Sequence, residues 1–437
     1  MDPELIGIFL IAALLIILGA GVNIAIGLAL IGVIGVYILA GPQAGLSLVG
    51  VVTFQKVAVF SFVALPLFLL MGEIAFQAGL VRDIFQVANK WLSFLPGGMG
   101  MAIIAACAGF GAISGSGVVA AAAMTRVCWP ELMKLKYDRG LASGLLASGG
   151  GLAVLIPPSM LAVLYGMFTE TPIGLVLIAG VLPGILTASL LMMFIFIRAN
   201  IQPQIAPRGV ATSWGDKFTA LKKIWPVIIL ALIVTGGLYG GFFTATEAAA
   251  AGAFGAFIIS LALRRMTWST FASALAATAR TTSFIFLIIV GAFIFSKFLV
   301  LSNISTTIVS FISGIEAPRV MILVGMLSLF VFLGMLMDAV AMLAVSISTV
   351  FPVVVMGLGY DPVWFGIIFI MMVEIGGITP PVGLGVYAVK GILGDEIQVW
   401  TIFKNASPFL IVYVIMIGLL IAFPKIALLL PSTVAAR

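Results

Sequence analysis

GGLAVLIPPSMLAVLYG at 150–166 and EIGGITPPVGLGVYAVKG at 374–391 decide how this chain is read. Each sets a proline pair, Pro157 with Pro158 or Pro380 with Pro381, inside a long apolar run with glycines just before it. Proline removes a backbone donor and clashes with the preceding helical turn, so both segments are predicted to be broken or sharply bent. The pairs are 223 residues apart. Breaks at corresponding places in two halves of an apolar chain are the sequence sign of a transporter whose binding site lies near the bilayer midplane.

Composition fixes the surroundings. With 63% hydrophobic and 8% charged residues and a mean hydropathy of +1.32, the chain has too little polar surface to cover a soluble protein of 437 residues. It reads as an all-α polytopic membrane protein, and the first apolar stretch reads as a retained span. The net charge of +6 comes from basic residues scattered in short loops with no dense tract, so membrane orientation explains it and nucleic acid does not. Cys107 and Cys128 make no disulfide framework, and with no histidine in the chain, imidazole metal sites and proton relays are excluded. No cofactor and no enzyme activity are expected.

Crossings are predicted near 5–21, 24–40, 56–78, 140–166 and 172–197, then near 226–242, 246–262, 281–301, 363–389 and 406–428. The stretch 98–125 is interrupted by GFGAISGSG at 109–117. A helix covers about 1.5 Å per residue and the bilayer core is about 30 Å thick, so two short arms reach only part way. A re-entrant hairpin with its tip at Ser114 to Gly117 is the prediction, with a counterpart over 318–350. Gly111 and Gly334 repeat the 223-residue offset, and Pro183 and Pro408 nearly so. Two halves follow: a first repeat at 1–197, a cytoplasmic linker at 198–225 and a second repeat at 226–437. Each half has an odd number of crossings, so the second enters from the opposite side as an inverted repeat. With the N-terminus outside, only Lys56, Lys297, Arg319, Lys425 and Arg437 of the 21 basic residues fall in outer segments or spans, as the positive-inside rule expects.

VALPLFLLMG at 63–72, SGSG at 114–117, GGLAVLIPPS at 150–159, GGFFTATEAAAAG at 240–252 and GGITPPVGLGVYAVKG at 376–391 together resemble the large membrane (permease) subunit of tripartite ATP-independent periplasmic (TRAP) transporters. The resemblance spans essentially the whole chain. It implies an inverted-repeat ion-transporter fold of elevator type, with scaffold and transport domains interleaved across both repeats. It further implies sodium-coupled import of a carboxylate across the bacterial inner membrane, with a periplasmic substrate-binding protein and a small TRAP membrane subunit as partners. Gly117 stands where a second serine often follows SGS, which weakens a hydroxyl ligand there, and Ala245 stands where the family's TPTEA has proline.

The residues themselves agree. A helix that ends inside the bilayer exposes amides or carbonyls that hydrocarbon cannot satisfy; amides suit an anion and carbonyls a cation. The candidate site therefore comprises Ser114, Gly115, Ser116 and Gly117, Gly150 and Gly151 beside Pro157 and Pro158, Gly334 and Asp338, and Glu374, Gly376, Gly377 and Thr379 beside Pro380 and Pro381. Sodium, a hard cation, would draw on carbonyls and on the side-chain oxygens of Ser114, Ser116, Asp338 and Thr379. Glu247, close after Thr244, reads equally as a helix cap. Two other readings stay open: an anion transporter of related fold working without a binding protein, and a membrane assembly subunit whose broken helices only pack.

Overall fold

The computed structural model describes residues 2–435 apart from 210, 305, 308, 309 and 311–315; Arg437, counted above among the outer basic residues, lies outside them. Five helices among the described residues are each long and apolar enough to cross a bilayer: Phe60–Gln77, Ile173–Ile201, Ala245–Ala262, Trp268–Leu301 and Val399–Ala422. Shorter apolar helices at Pro3–Gly19 and Ile24–Ala40 match the first two predicted crossings. Large side chains such as Phe9, Phe54 and Phe254 point outward from the helices, the arrangement expected of elements whose solvent is lipid.

Both proline pairs mark breaks. Helix Arg139–Gly150 runs through a short turn, Leu152–Leu155, and the chain then bends by 47° into Met160–Thr169. The second broken span is Pro362–Gly377 followed by Leu384–Leu393. The Pro157–Pro158 and Pro380–Pro381 peptide bonds are cis. Each broken span starts on an aspartate: Asp138 accepts a hydrogen bond from the Leu141 amide at 2.8 Å, and Asp361 from the Val363 and Trp364 amides at 2.8 and 2.9 Å. Such caps satisfy amides that a helix start leaves bare.

Two hairpins stand against these spans. The first pairs Gly98–Ser114 with Gly117–Lys134 around Gly115, whose φ of +62° is left-handed and favours glycine. The second pairs Arg319–Leu336 with Ala339–Pro352, turning at Met337 and Asp338. A β-carbon on Gly111 would lie 2.7 Å from the Cα of Ala153, and one on Gly334 would lie 2.9 Å from the Cα of Gly376. Ala153 and Gly376 are themselves 223 residues apart. The same close backbone contact, hairpin against broken span, is thus built once in each half.

Helices also form where no crossing is predicted. Pro42–Val57 carries Gln43, Ser47, Thr53 and Gln55, too many polar groups for a predicted span. Leu80–Leu92 is amphipathic, burying Leu80, Val81, Ile84, Phe85 and Val87. The helix expected to start at 281 begins at Trp268, where Thr267 and Thr270 form reciprocal capping bonds, and Arg280 falls within it. Lys425–Ala435 adds a helix at the end of the described chain.

The linker is fastened to one end of the molecule. Lys217 lies 4.5 Å from the ring centre of Phe94 and 4.7 Å from that of Trp214, with Trp91 at 5.9 Å, a cation held by aromatic faces. At the same end Lys223 donates to Gln86 at 3.2 Å, Gly209 N donates to Ser93 O at 2.8 Å, and Arg265 pairs with the nearly buried Asp83. Across the molecule the halves are tied by Tyr165, whose hydroxyl donates to Pro362 O at 2.7 Å, and by Tyr413, which donates to Ser148 O at 2.8 Å.

Candidate functional site

The two hairpin tips and the two broken spans converge on one cavity of about 330 Å³. Of the residues singled out from sequence, Gly115, Ser116, Gly117, Gly151, Gly334, Asp338, Glu374 and Gly377 line it. The others sit one layer behind and hold the tips in place. Gly150 lets the first hairpin approach, since a β-carbon there would fall 2.7 Å from Gly117 O, and Gly376 is pressed against Gly334 in the same way. Thr379 donates its hydroxyl to Ile375 O at 2.5 Å, so that group is engaged in its own helix. Pro157, Pro158, Pro380 and Pro381 shape the chain without lining the cavity.

Each tip presents a different chemistry. At the first, Gly115 O accepts from Met160 N at 3.2 Å, joining the hairpin to the first broken span just past its prolines. Ser114 is buried and its hydroxyl has no hydrogen-bond partner among the described residues. An unpaired buried hydroxyl costs about 1–3 kcal/mol, and this one lies behind the cavity wall and not on it. The outgoing arm starts at Gly117, so its first amides open beside the cavity. At the second tip, Asp338 accepts from the Val340 and Ala341 amides at 2.9 and 3.2 Å. Both bonds use Oδ1, leaving Oδ2 outside the cap.

Glu374 is the other acid at the cavity. Its Oε1 lies 3.4 Å from where a β-carbon on Gly117 would sit, and a β-carbon on Gly151 would collide with Oε2. The carboxylate is therefore wedged between the two first-half glycines although it belongs to the second half. It makes no ion pair or hydrogen bond among the described residues. No group of three or more Cys, Asp or Glu side chains that could hold a metal occurs among them either. Glu247 stands apart, closing a capping box in which Thr244 N donates to it at 2.8 Å.

One wall of the cavity lies outside the predicted tips and breaks: Thr281, Phe284 and Ile285 reach it from Trp268–Leu301. Thr281 is one of several hydroxyl residues in the first half of that helix, and nothing in the local sequence sets it apart from Thr278, Thr282 or Ser283.

A helical membrane protein whose two re-entrant tips and two broken spans close on one chamber has the architecture of a secondary transporter. The match to the tripartite ATP-independent periplasmic transporter, DctM component, runs over residues 9–426, so the chain belongs to that family. It is 31% identical over 375 residues to the C4-dicarboxylate TRAP transporter large permease protein DctM of Pseudomonas aeruginosa, covering 85% of this chain and 86% of that one. It is 28% identical over 427 residues to the ectoine TRAP transporter large permease protein TeaC of Halomonas elongata, covering 96% and 98%. Its fold is similar to that of the Alcanivorax borkumensis YdaH transporter, with a TM-score of 0.65 over 88% of this chain and 90% of that one at 15% identity. Large permeases of this family work with a small membrane subunit and a periplasmic binding protein, which makes this chain a multi-pass inner-membrane permease subunit.

Proposed function

We propose that the chain imports an organic acid by sodium-coupled secondary transport, receiving it from a periplasmic binding protein while docked to a small membrane subunit. One observation carries the reading: two opposed tips, one offering helix-start amides and a hydroxyl, the other a capped aspartate, enclose a chamber that also holds the unpaired Glu374 carboxylate. An anion is served by the amides and a coupling cation by the carboxylate oxygens and carbonyls. Sodium here is cargo, bound and released in each cycle.

The paired contacts of Gly111 with Ala153 and of Gly334 with Gly376 support a division into inverted repeats at 1–197 and 226–437 joined by 198–225. In this reading the hairpins and broken spans move as one body, the transport domain, against the remaining helices, the scaffold, in an elevator cycle with the N-terminus outside. The acid itself is left open, since the named relatives carry different compounds. Uptake of a panel of carboxylic and sulfonic acids by proteoliposomes holding all three components, with and without an inward sodium gradient, tests the proposal. Uptake that is undiminished after sodium is removed would sink it.

A further inference from the structure

A second and larger cavity, about 910 Å³, lies on two of the helices that wall the first. It is lined by Phe293 and Lys297 of Trp268–Leu301 and by Phe168 and Glu170 at the end of the first broken span, with Gln55 and Ser61 from the 42–63 region. Ile285 of the inner chamber precedes Phe293 by eight residues, or about 12 Å along the helix axis, and Lys297 is one further turn along the same face. The rings of Phe168 and Phe293, both in the wall of the larger cavity, stack at 4.9 Å and 14°. Along Trp268–Leu301 the larger cavity follows the chamber as a vestibule, and Phe293, its wall residue on that helix nearest the chamber, forms an apolar floor with Phe168.

Trp268 begins at the end where Arg265 meets Asp83 and the linker is clasped. Lys297 is 29 residues later, about 44 Å away, at the opposite end of the molecule. It is an exposed cation in a cavity and forms no ion pair among the described residues, Glu170 included. A lysine beside an apolar floor attracts negatively charged solutes to the mouth and raises their local concentration there.

We propose that this vestibule is an anion-capture site: Lys297 receives the carboxylate or sulfonate group of the solute before the Phe168–Phe293 pair parts to admit it to the chamber. Glu170 opposes Lys297 in sign and weakens the attraction at the mouth. The proposal rests on the transport reading for its onward step, but the capture step can be measured without transport. Cys107 and Cys128 are buried, so Gln55→Cys in the full chain, held in membranes with its small subunit, provides a single exposed thiol in the vestibule. Its rates of reaction with sulfonatoethyl and trimethylammonioethyl methanethiosulfonate are compared, normalised to the same reagents acting on free cysteine.

The normalised anion-to-cation ratio should be at least about threefold above unity, and about 0.5 M neutral salt should bring it towards unity. Adding Lys297→Gln should lower the ratio below unity, Lys297→Arg should preserve it, and Glu170→Gln should raise it. A ratio near unity in the Gln55→Cys protein at low salt overturns the proposal, and this measurement does not depend on how the Lys297 variants fold. A ratio that Lys297→Gln leaves unchanged also overturns it. In reconstituted uptake, Lys297→Gln should raise KM about fivefold with little change in maximal rate, the signature of a lost encounter step. Failure of the wild type to take up any acid would overturn the transport reading while the thiol measurement still judged the vestibule.

Discussion

Gly151 leaves no room for a methyl group beside the Glu374 carboxylate, whereas one on Gly117 would meet that carboxylate at ordinary contact distance. Gly151→Ala is therefore expected to cut uptake at least tenfold, about 1.4 kcal/mol in effective terms, with the protein still reaching the membrane. Uptake assays normalised to the amount of inserted protein check this. Glu374→Gln keeps the shape and removes the ionisable group, so the fold should hold while the dependence of uptake on sodium weakens. A sodium titration of uptake by that variant, run beside a thermal melt in detergent, separates charge from packing; an unchanged sodium curve would exclude Glu374 from coupling. Ser116 could be named from sequence because SGSG interrupts an apolar run. Thr281 could not, because its position on the chamber wall follows from the path of a helix packed against residues distant in the chain.

The second hairpin turns on a single cap. Asp338→Ala should destabilise the protein by about 1 kcal/mol and loosen the tip, whereas Asp338→Asn, an equally good capping residue, should melt close to wild type. If both variants lose uptake alike, the negative charge matters beyond the cap; if only the alanine variant does, capping is the whole role. The proline pairs disclosed both broken spans because proline acts on the backbone locally, wherever the rest of the chain goes. Pro42–Val57 and the first thirteen residues of Trp268–Leu301 were not legible as helices, since hydropathy reports contact with lipid and both stretches are rich in polar or small residues. Hydropathy hides the amphipathic Leu80–Leu92 for the same reason.

Seen as a whole, the molecule puts one acid from its second half between two glycines of its first, and the chamber exists only when the halves are together. If the chamber changes sides during transport, Ser116→Cys should react with a membrane-impermeant thiol reagent from one face in sodium alone and from the other once substrate gradients drive turnover. Sidedness of labelling in oriented vesicles reads this directly, with Cys107 and Cys128 too buried to contribute. Reaction from one face under every condition would exclude alternating access. The clasp around Lys217 has a further consequence. Within the linker, Trp214 and Lys217 follow the loop around Pro207 while Trp91 and Phe94 precede it, so a chain cut at Pro207–Arg208 would leave its second piece carrying a ready-made plug for a socket on the first. Two separately translated polypeptides should therefore find one another in the membrane and assemble into a working permease, with peptide continuity through that loop dispensable.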